Sequence, residues 1–227
     1  DCFLLCDNLS TSEDLLQELQ RSKTVQHVNL LVTADFAAET QASEGCSQIV
    51  VDNVASTQSL KAIAKAAEAE YVLLSIKSTK LELGYYALER MLRVAADSDA
   101  AMVYSDHFSV ANGETTKHPV IDYQWGSLRD DFDFGQLVLI KTDLLQEWAE
   151  SNPADYKFAG FYDLRLFLSR KGHLFHIDEF LYTDIELDTR LSGAKQFDYV
   201  NPRNREVQVE MEKAATCHLE AIGALVD

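Results

Sequence analysis

Apolar positions along the chain fall into short continuous runs, separated by polar stretches that carry helical spacing. Residues 3–6 (FLLC) form the first run and Asp7-Asn8 break it; Leu15, Leu16 and Leu19 then recur on one side of a segment that Thr11 or Ser12 would cap. Residues 27–33 (HVNLLVT) and 48–51 (QIVV) repeat the run, 59–69 read as an alanine-rich helix, and 71–74 (YVLL) as a fourth run. Runs this short and this apolar predict strands buried on both faces, and their alternation with amphipathic segments predicts a largely parallel sheet covered by helices.

The second half continues the pattern with more irregularity. A helix is expected over 83–96 (LGYYALERMLRVAA), then a strand over 101–104 (AMVY) that ends at Ser105-Asp106. Residues 112–134 read as one long functional loop holding Gly113, Pro119, Gly126 and the carboxylates Asp130, Asp131 and Asp133. A strand over 136–140, helices over 142–150 and 162–170, the latter ended by Gly172, a strand over 174–177 and a terminal helix over 205–225 complete the expectation. In open sheets of this kind a ligand lies outside the carboxyl ends of the strands. The residues expected there are Asp7, Asn8, Asp35, Asp52, Asn53, Ser75, Lys77, Ser105 and Asp106.

Composition narrows the partners. With 37 acidic against 20 basic residues the net charge is -17, a field that repels nucleic acid and anionic lipid, so neither is expected as a partner. An anionic small ligand would need a local cation or a helix N-terminus. Cys2, Cys6, Cys46 and Cys217 lack metal spacing and read as reduced core thiols. The apolar runs fall short of a membrane span and the opening residues are too short for a signal peptide, which gives a cytoplasmic expectation. No nucleophile triad order, Walker loop, dinucleotide fingerprint or zinc spacing is present.

Three strings resemble family 2 glycosyltransferases, enzymes with the GT-A fold of the nucleotide-diphospho-sugar transferases. They are residues 59–93, with the helix ALERMLR after the strand YVLL; residues 102–106 (MVYSD); and residues 158–182, with FYDLRLFLSRKG followed by LFHIDEFLY. The resemblance implies a three-layer α/β domain over 1–227. It has a nucleotide-binding half at 1–110, an acceptor-side half at 111–182, and a tail and helix at 183–227. It implies a nucleotide-sugar donor, a saccharide or lipid-linked acceptor, and Mg²⁺ or Mn²⁺. A non-catalytic binding or assembly relative is the alternative, with a homodimer through the last helix.

Two departures bear on the chemistry. The family's Asp-x-Asp metal motif falls on Ser75-Ile76-Lys77, where Lys77 could neutralise phosphate only as a point charge. Its Glu-Asp base pair falls on Gly160-Phe161. Replacement catalytic candidates are Asp131, Asp133 and Asp163, with Asp106 and Asp131 as candidate metal ligands. Nucleotide or sugar contacts are expected from Asp7, Asn8, Asp35, Asp52, Asn53, Ser56, Thr57, Lys77 and Asp106. The simpler alternatives are a solvated acidic loop, a helix-terminal acid at Asp163, and N-caps at Ser56 and Thr57. Arg190, Lys195, Arg203 and Arg205 read either as a phosphate-facing lid or as a salt-bridged surface that docks the last helix.

Overall fold

The computed structural model describes residues 1–40, 43–151, 153–186 and 204–225. Its elements, in chain order, are β1 (Cys2–Leu5), α1 (Leu9–Arg21), β2 (Val28–Val32), α2 (Ala34–Glu39), β3 (Cys46–Val50), α3 (Thr57–Ala66), β4 (Tyr71–Ser75), β5 (Lys80–Leu83), α4 (Ala87–Ser98), β6 (Met102–Ala111), β7 (Glu114–His118), β8 (Leu137–Lys141), α5 (Thr142–Glu150), α6 (Gly160–Lys171), β9 (Leu174–Ile185) and α7 (Asn204–Ala221). One sheet takes the order β3-β2-β1-β4-β8-β6-β9-β5, with β7 paired to β6. Strands β1 to β4, β6 and β9 point one way; β5, β7 and β8 run against them.

Side chains alternate across a strand, so a continuous apolar run supplies both faces of the sheet. Leu4, Leu30, Leu73, Val103 and Leu139 meet Leu15, Leu19, Leu88 and Met91 of α1 and α4 on one side. Their neighbours Phe3, Leu31, Leu74, Met102, Tyr104 and Ile140 meet Leu60, Ile63, Leu145, Trp148, Leu164 and Leu168 of α3, α5 and α6 on the other. At about 1.5–3 kcal/mol for each fully buried large side chain, these two layers dominate the fold's stability. Helix α7 docks on α6 through a smaller cluster of Tyr156, Ala159, Tyr162, Leu166 and Ala214.

The three-layer α/β expectation holds, and four local readings change. Helix α1 is capped by Asn8, whose Oδ1 accepts the Ser10 N–H at 3.0 Å, rather than by Thr11 or Ser12. The helix expected over 83–96 begins only at Ala87, and Leu83 instead ends strand β5, antiparallel to β9. The run ending at Ser105-Asp106 continues as β6 to Ala111, and the segment read as loop contains β7. Asn112 and Gly113 turn between them with φ of 52° and 80°, the left-handed pair of a tight hairpin turn. Last, β9 runs to Ile185, well past Ile177, because its register on β6 slips on either side of Asp106 and lets both strands go on.

Arg190, Lys195 and Arg203 lie outside the described residues. Arg205 is exposed in the first turn of α7.

Candidate functional site

The carboxyl ends of β1 to β4 open onto a cavity of about 330 Å³. Leu31, Val51, Val54 and Ile76 give it apolar walls, Asp7 and Asp52 stand at its polar margin, and Lys77 lines it from the end of β4. The sequence placed Asp7, Asp52, Asn53 and Lys77 together, and they do line one recess. Other expected contacts are engaged elsewhere. Asn8 caps α1, and Asp35 sits exposed in the first turn of α2. Ser56 caps α3 through the Ser59 N–H at 3.1 Å. Thr57 is buried, its hydroxyl donating to the Ala154 carbonyl at 2.8 Å and accepting the Tyr156 N–H at 3.1 Å. The Ser56 and Thr57 side chains are thus engaged in bonds within the fold. Asn53 keeps its place on the wall while its amide donates to the Lys157 carbonyl at 2.9 Å.

Beside this recess lies a polar cluster that sequence reading found only in part. His107 is 2% exposed, and its ring is stacked between those of His118 and Tyr182, at 4.4 Å and 4.9 Å. The hairpin register sets this up, since His107 faces His118 across β6–β7 and Tyr182 across β6–β9. His118 Nε2 lies 2.8 Å from Asp133 Oδ2, and the Gly135 N–H donates to Asp133 Oδ1 at 2.9 Å. Gly135 has φ 74°, and a Cβ there would fall 2.2 Å from the Tyr182 hydroxyl, so only glycine lets this turn pass so close. The Gln136 N–H donates to that hydroxyl at 2.6 Å, and the Gln136 amide donates to Asp184 Oδ2 at 3.0 Å.

Electrostatics tie the cluster to Lys77. Burial lowers the His107 imidazole below its ordinary range, with the charges of His118 and Lys77 adding to the effect and Asp184 and Asp133 opposing it. Burial works to raise the Asp133 carboxyl, yet the His118 hydrogen bond, the Gly135 N–H and Lys77 together hold it below its ordinary range. Burial pushes the Tyr182 phenol up, so it stays neutral. Buried side-chain atoms with no hydrogen-bond partner here are His107 Nδ1, Gln136 Oε1 and Asp184 Oδ1. Each such group costs about 1–3 kcal/mol when nothing satisfies it. All three atoms are closed off from solvent and lie on or beside neighbouring strands of the sheet, near the Lys77 end of β4.

Asp106 is 1% exposed and is held through one of its oxygens. Its Oδ1 accepts the Val120 N–H at 2.9 Å and lies 2.8 Å from His176 Nε2, while His176 Nδ1 lies 2.8 Å from Asp122. It straps the start of the 119–135 segment to the sheet. Asp131 forms a two-point pair with Arg129 at 3.0 and 3.1 Å, which holds its carboxyl below the ordinary range. Asp163 accepts the Trp148 indole N–H at 2.8 Å on the packed side of α6, and burial raises its carboxyl. Of the three expected catalytic carboxylates, only Asp133 joins the cluster.

A divalent cation does not fit the residues at the expected position. The Ser75 hydroxyl accepts the Leu5 N–H at 2.9 Å, Lys77 is itself a cation, and Asp106 Oδ1 and both Asp131 oxygens are engaged as above. Among the described residues no three His, Cys, Asp or Glu side chains group as a metal site. The place of the family's Glu-Asp pair is closed as well: a Cβ on Gly160 would fall 2.4 Å from the Thr57 nitrogen.

No family model matches the sequence, and no curated protein matches it. Among solved structures, Staphylococcus aureus TarS 1-349 in complex with UDP-GlcNAc is similar, with a TM-score of 0.62 and 13% identity over 96% of this chain and 66% of that one. A second structure of TarS 1-349 gives 0.63 and 11%, over 96% and 64%. The 4-diphosphocytidyl-2C-methyl-D-erythritol synthase from Anaerococcus prevotii gives 0.52 and 11%, over 96% and 95%. The chain thus spans about two thirds of the TarS structures. At these identities the likeness concerns the fold alone.

Proposed function

We propose that the protein is a sugar transferase, of the family 2 glycosyltransferase type, that takes a hexosyl group from a nucleotide-diphospho-sugar and passes it to a saccharide or lipid-linked hydroxyl. The observation that carries this reading is Lys77. It lines the strand-end cavity, and its charge reaches His107 and Asp133 of the polar cluster. The cavity takes the nucleoside, with Asp7 and Asp52 as hydroxyl and N–H acceptors. Lys77 neutralises the diphosphate as a point charge in place of a metal. The sugar lies against the exposed edge of the polar cluster, where the His118 and Asp133 side chains meet its hydroxyls.

In the transfer, the acceptor oxygen forms a bond to the anomeric carbon as the bond from that carbon to the diphosphate breaks. The bonding pair leaves with the nucleoside diphosphate, and the hydroxyl proton passes to Asp133, backed by His118. The four cysteines are free thiols, which suits the reducing cytoplasm as the place of work.

A second reading is a non-catalytic relative that binds the nucleotide and performs no transfer. The closed position at Gly160 favours it: no side chain fits there, and the next position of the pair holds Phe161, which has no group able to take a proton. One experiment addresses both. UDP, GDP, CMP and their sugar conjugates are titrated calorimetrically with and without Mn²⁺, and release of sugar from each bound conjugate is followed. Binding without metal that Lys77→Gln weakens for the diphosphates, together with release that Asp133→Asn abolishes, supports the transferase. Binding with no release under any condition leaves the second reading. Failure of every nucleotide to bind overturns both; a ligand at 100 times its dissociation constant would add about 2.7 kcal/mol to stability and could not be missed.

A further inference from the structure

A second recess, of about 390 Å³, lies between the C-terminal end of α1 and the turn that joins β5 to α4. Glu18, Arg21, Lys23, Tyr85, Tyr86 and Glu89 supply its functional groups. The strand-end cavity touches the chain at Asp7, just before α1 begins, whereas this recess meets the same helix at its other end. Helix α1 is 13 residues long, so the two sites are about 20 Å apart along it.

The turn is built to present its aromatic rings. Tyr85 is 90% exposed and Tyr86 62%, and their rings lie 4.1 Å apart at 59°. Tyr86 has φ 56° and ψ 23°, a left-handed conformation that a bulky side chain rarely adopts. It also occupies the N-cap position of α4 without a side-chain capping bond, where Ser, Thr, Asp or Asn would serve. Burial gives nothing back, because both rings face solvent. Rigid contacts behind the turn impose this geometry. The Gly84 N–H donates to the Leu181 carbonyl at 2.8 Å, and a Cβ on Gly84 would fall 2.8 Å from that same oxygen. The Ala87 N–H closes the turn on the Gly84 carbonyl at 3.0 Å. Strain held by the scaffold at an exposed aromatic pair marks a place where contact with a ligand is the return.

The lining decides the class of ligand. Glu18 and Glu89 stand close enough that, after burial, the charge of Glu89 also raises the Glu18 carboxyl. Arg21 and Lys23 balance them, so an ion of either sign gains little here. A neutral polyol can donate hydroxyls to the carboxylates, accept from the two cations, and lay the apolar face of a sugar ring on tyrosine. We propose that this recess is a second ligand site that holds a neutral saccharide chain, stacked on Tyr85 and Tyr86 and hydrogen-bonded by the flanking Glu, Arg and Lys side chains. It is distinct from the strand-end cavity and does not depend on the chemistry assigned there.

The test is calorimetric titration of the whole chain with neutral oligosaccharides of glucose, galactose, mannose and N-acetylglucosamine, alongside spermidine and inorganic phosphate as charged probes. At least one oligosaccharide is expected to bind, and saturating UDP is expected to leave that binding unchanged. Tyr85→Ala is expected to weaken it about tenfold or more. Tyr86→Gly separates function from folding, because glycine relieves the left-handed strain: its melting temperature should equal or exceed that of the parent while saccharide affinity falls. Three results would each overturn the proposal: no oligosaccharide bound at millimolar concentration, equal affinity in both tyrosine variants, or displacement by UDP, phosphate or spermidine.

Discussion

Asp163 shows how a residue can carry an evident chemical signal and still work for the fold. An acid in the first turn of a helix is favoured by the helix dipole, and in a sequence it can equally be read as a base. The structure turns it onto Trp148, and burial raises its carboxyl despite that hydrogen bond and the charge of Arg170. The folded-state pKa thus lies above the unfolded one. The contribution to stability is complete below the unfolded pKa and is lost as pH rises through the folded one. Asp163→Asn keeps an oxygen for the Trp148 N–H and removes the buried charge. The variant should therefore melt above the parent at neutral pH, with the gap shrinking as pH falls through the carboxylate range near about 4. A constant gap across that range would mean that Asp163 is not held against its charge. Asp133 stood out in the sequence as part of the acidic run 130–133, but its partner His118 did not. Their meeting depends on the β6–β7 hairpin, whose outer strand Glu114–His118 is exposed throughout and so carries no hydrophobic alternation. The one local sign was Asn112-Gly113, a favoured hairpin pair.

At the scale of elements, strands buried on both faces were easy to read because their apolar runs are continuous. The short β5 was not: its KLEL alternation is only four residues long and runs into the aromatic turn before α4. The docking of α7 was visible only as an amphipathic pattern, and a single carboxylate adds a polar anchor to its apolar cluster. Glu210 accepts the N–H groups of Lys157 at 3.0 Å, Phe158 at 2.7 Å and Ala159 at 3.1 Å. These are the groups at the start of α6, whose own N-cap residue, Ala159, has no side chain able to take them. One helix thus caps another, and the anion sits at the positive end of the α6 dipole. Replacing Glu210 with Ala leaves three donors without that acceptor and should cost about 2 kcal/mol in urea unfolding. Hydrogen exchange should show α7 and the first turn of α6 losing protection together, ahead of the sheet. Unchanged protection at 157–163 would mean that the apolar cluster around Ala214 alone holds α7.

For the whole molecule, the sequence revealed the alternation of strand and helix, and with it the end of the sheet where a ligand belongs. It did not reveal that β8 enters antiparallel between β4 and β6, since that pairing joins segments about sixty residues apart whose runs look alike. Net charge is the other global property, and it acts against the proposed ligand. A nucleoside diphosphate approaching a chain of charge -17 meets repulsion from carboxylates spread over the whole surface and attraction from Lys77 only at contact. The Debye length falls from about 30 Å at 0.01 M salt to about 8 Å at 0.15 M, so added salt removes the distant repulsion before it weakens the contact pair. Association of UDP should therefore quicken severalfold over that range in stopped-flow fluorescence, the reverse of what a basic phosphate site would give. Lys77→Gln should bind more weakly at every salt concentration yet keep the same upward trend, because the surface charges that cause it remain. A rate that falls with salt in the parent chain would instead mean that a local basic field governs the approach, and that Lys77 does not stand alone at the phosphate.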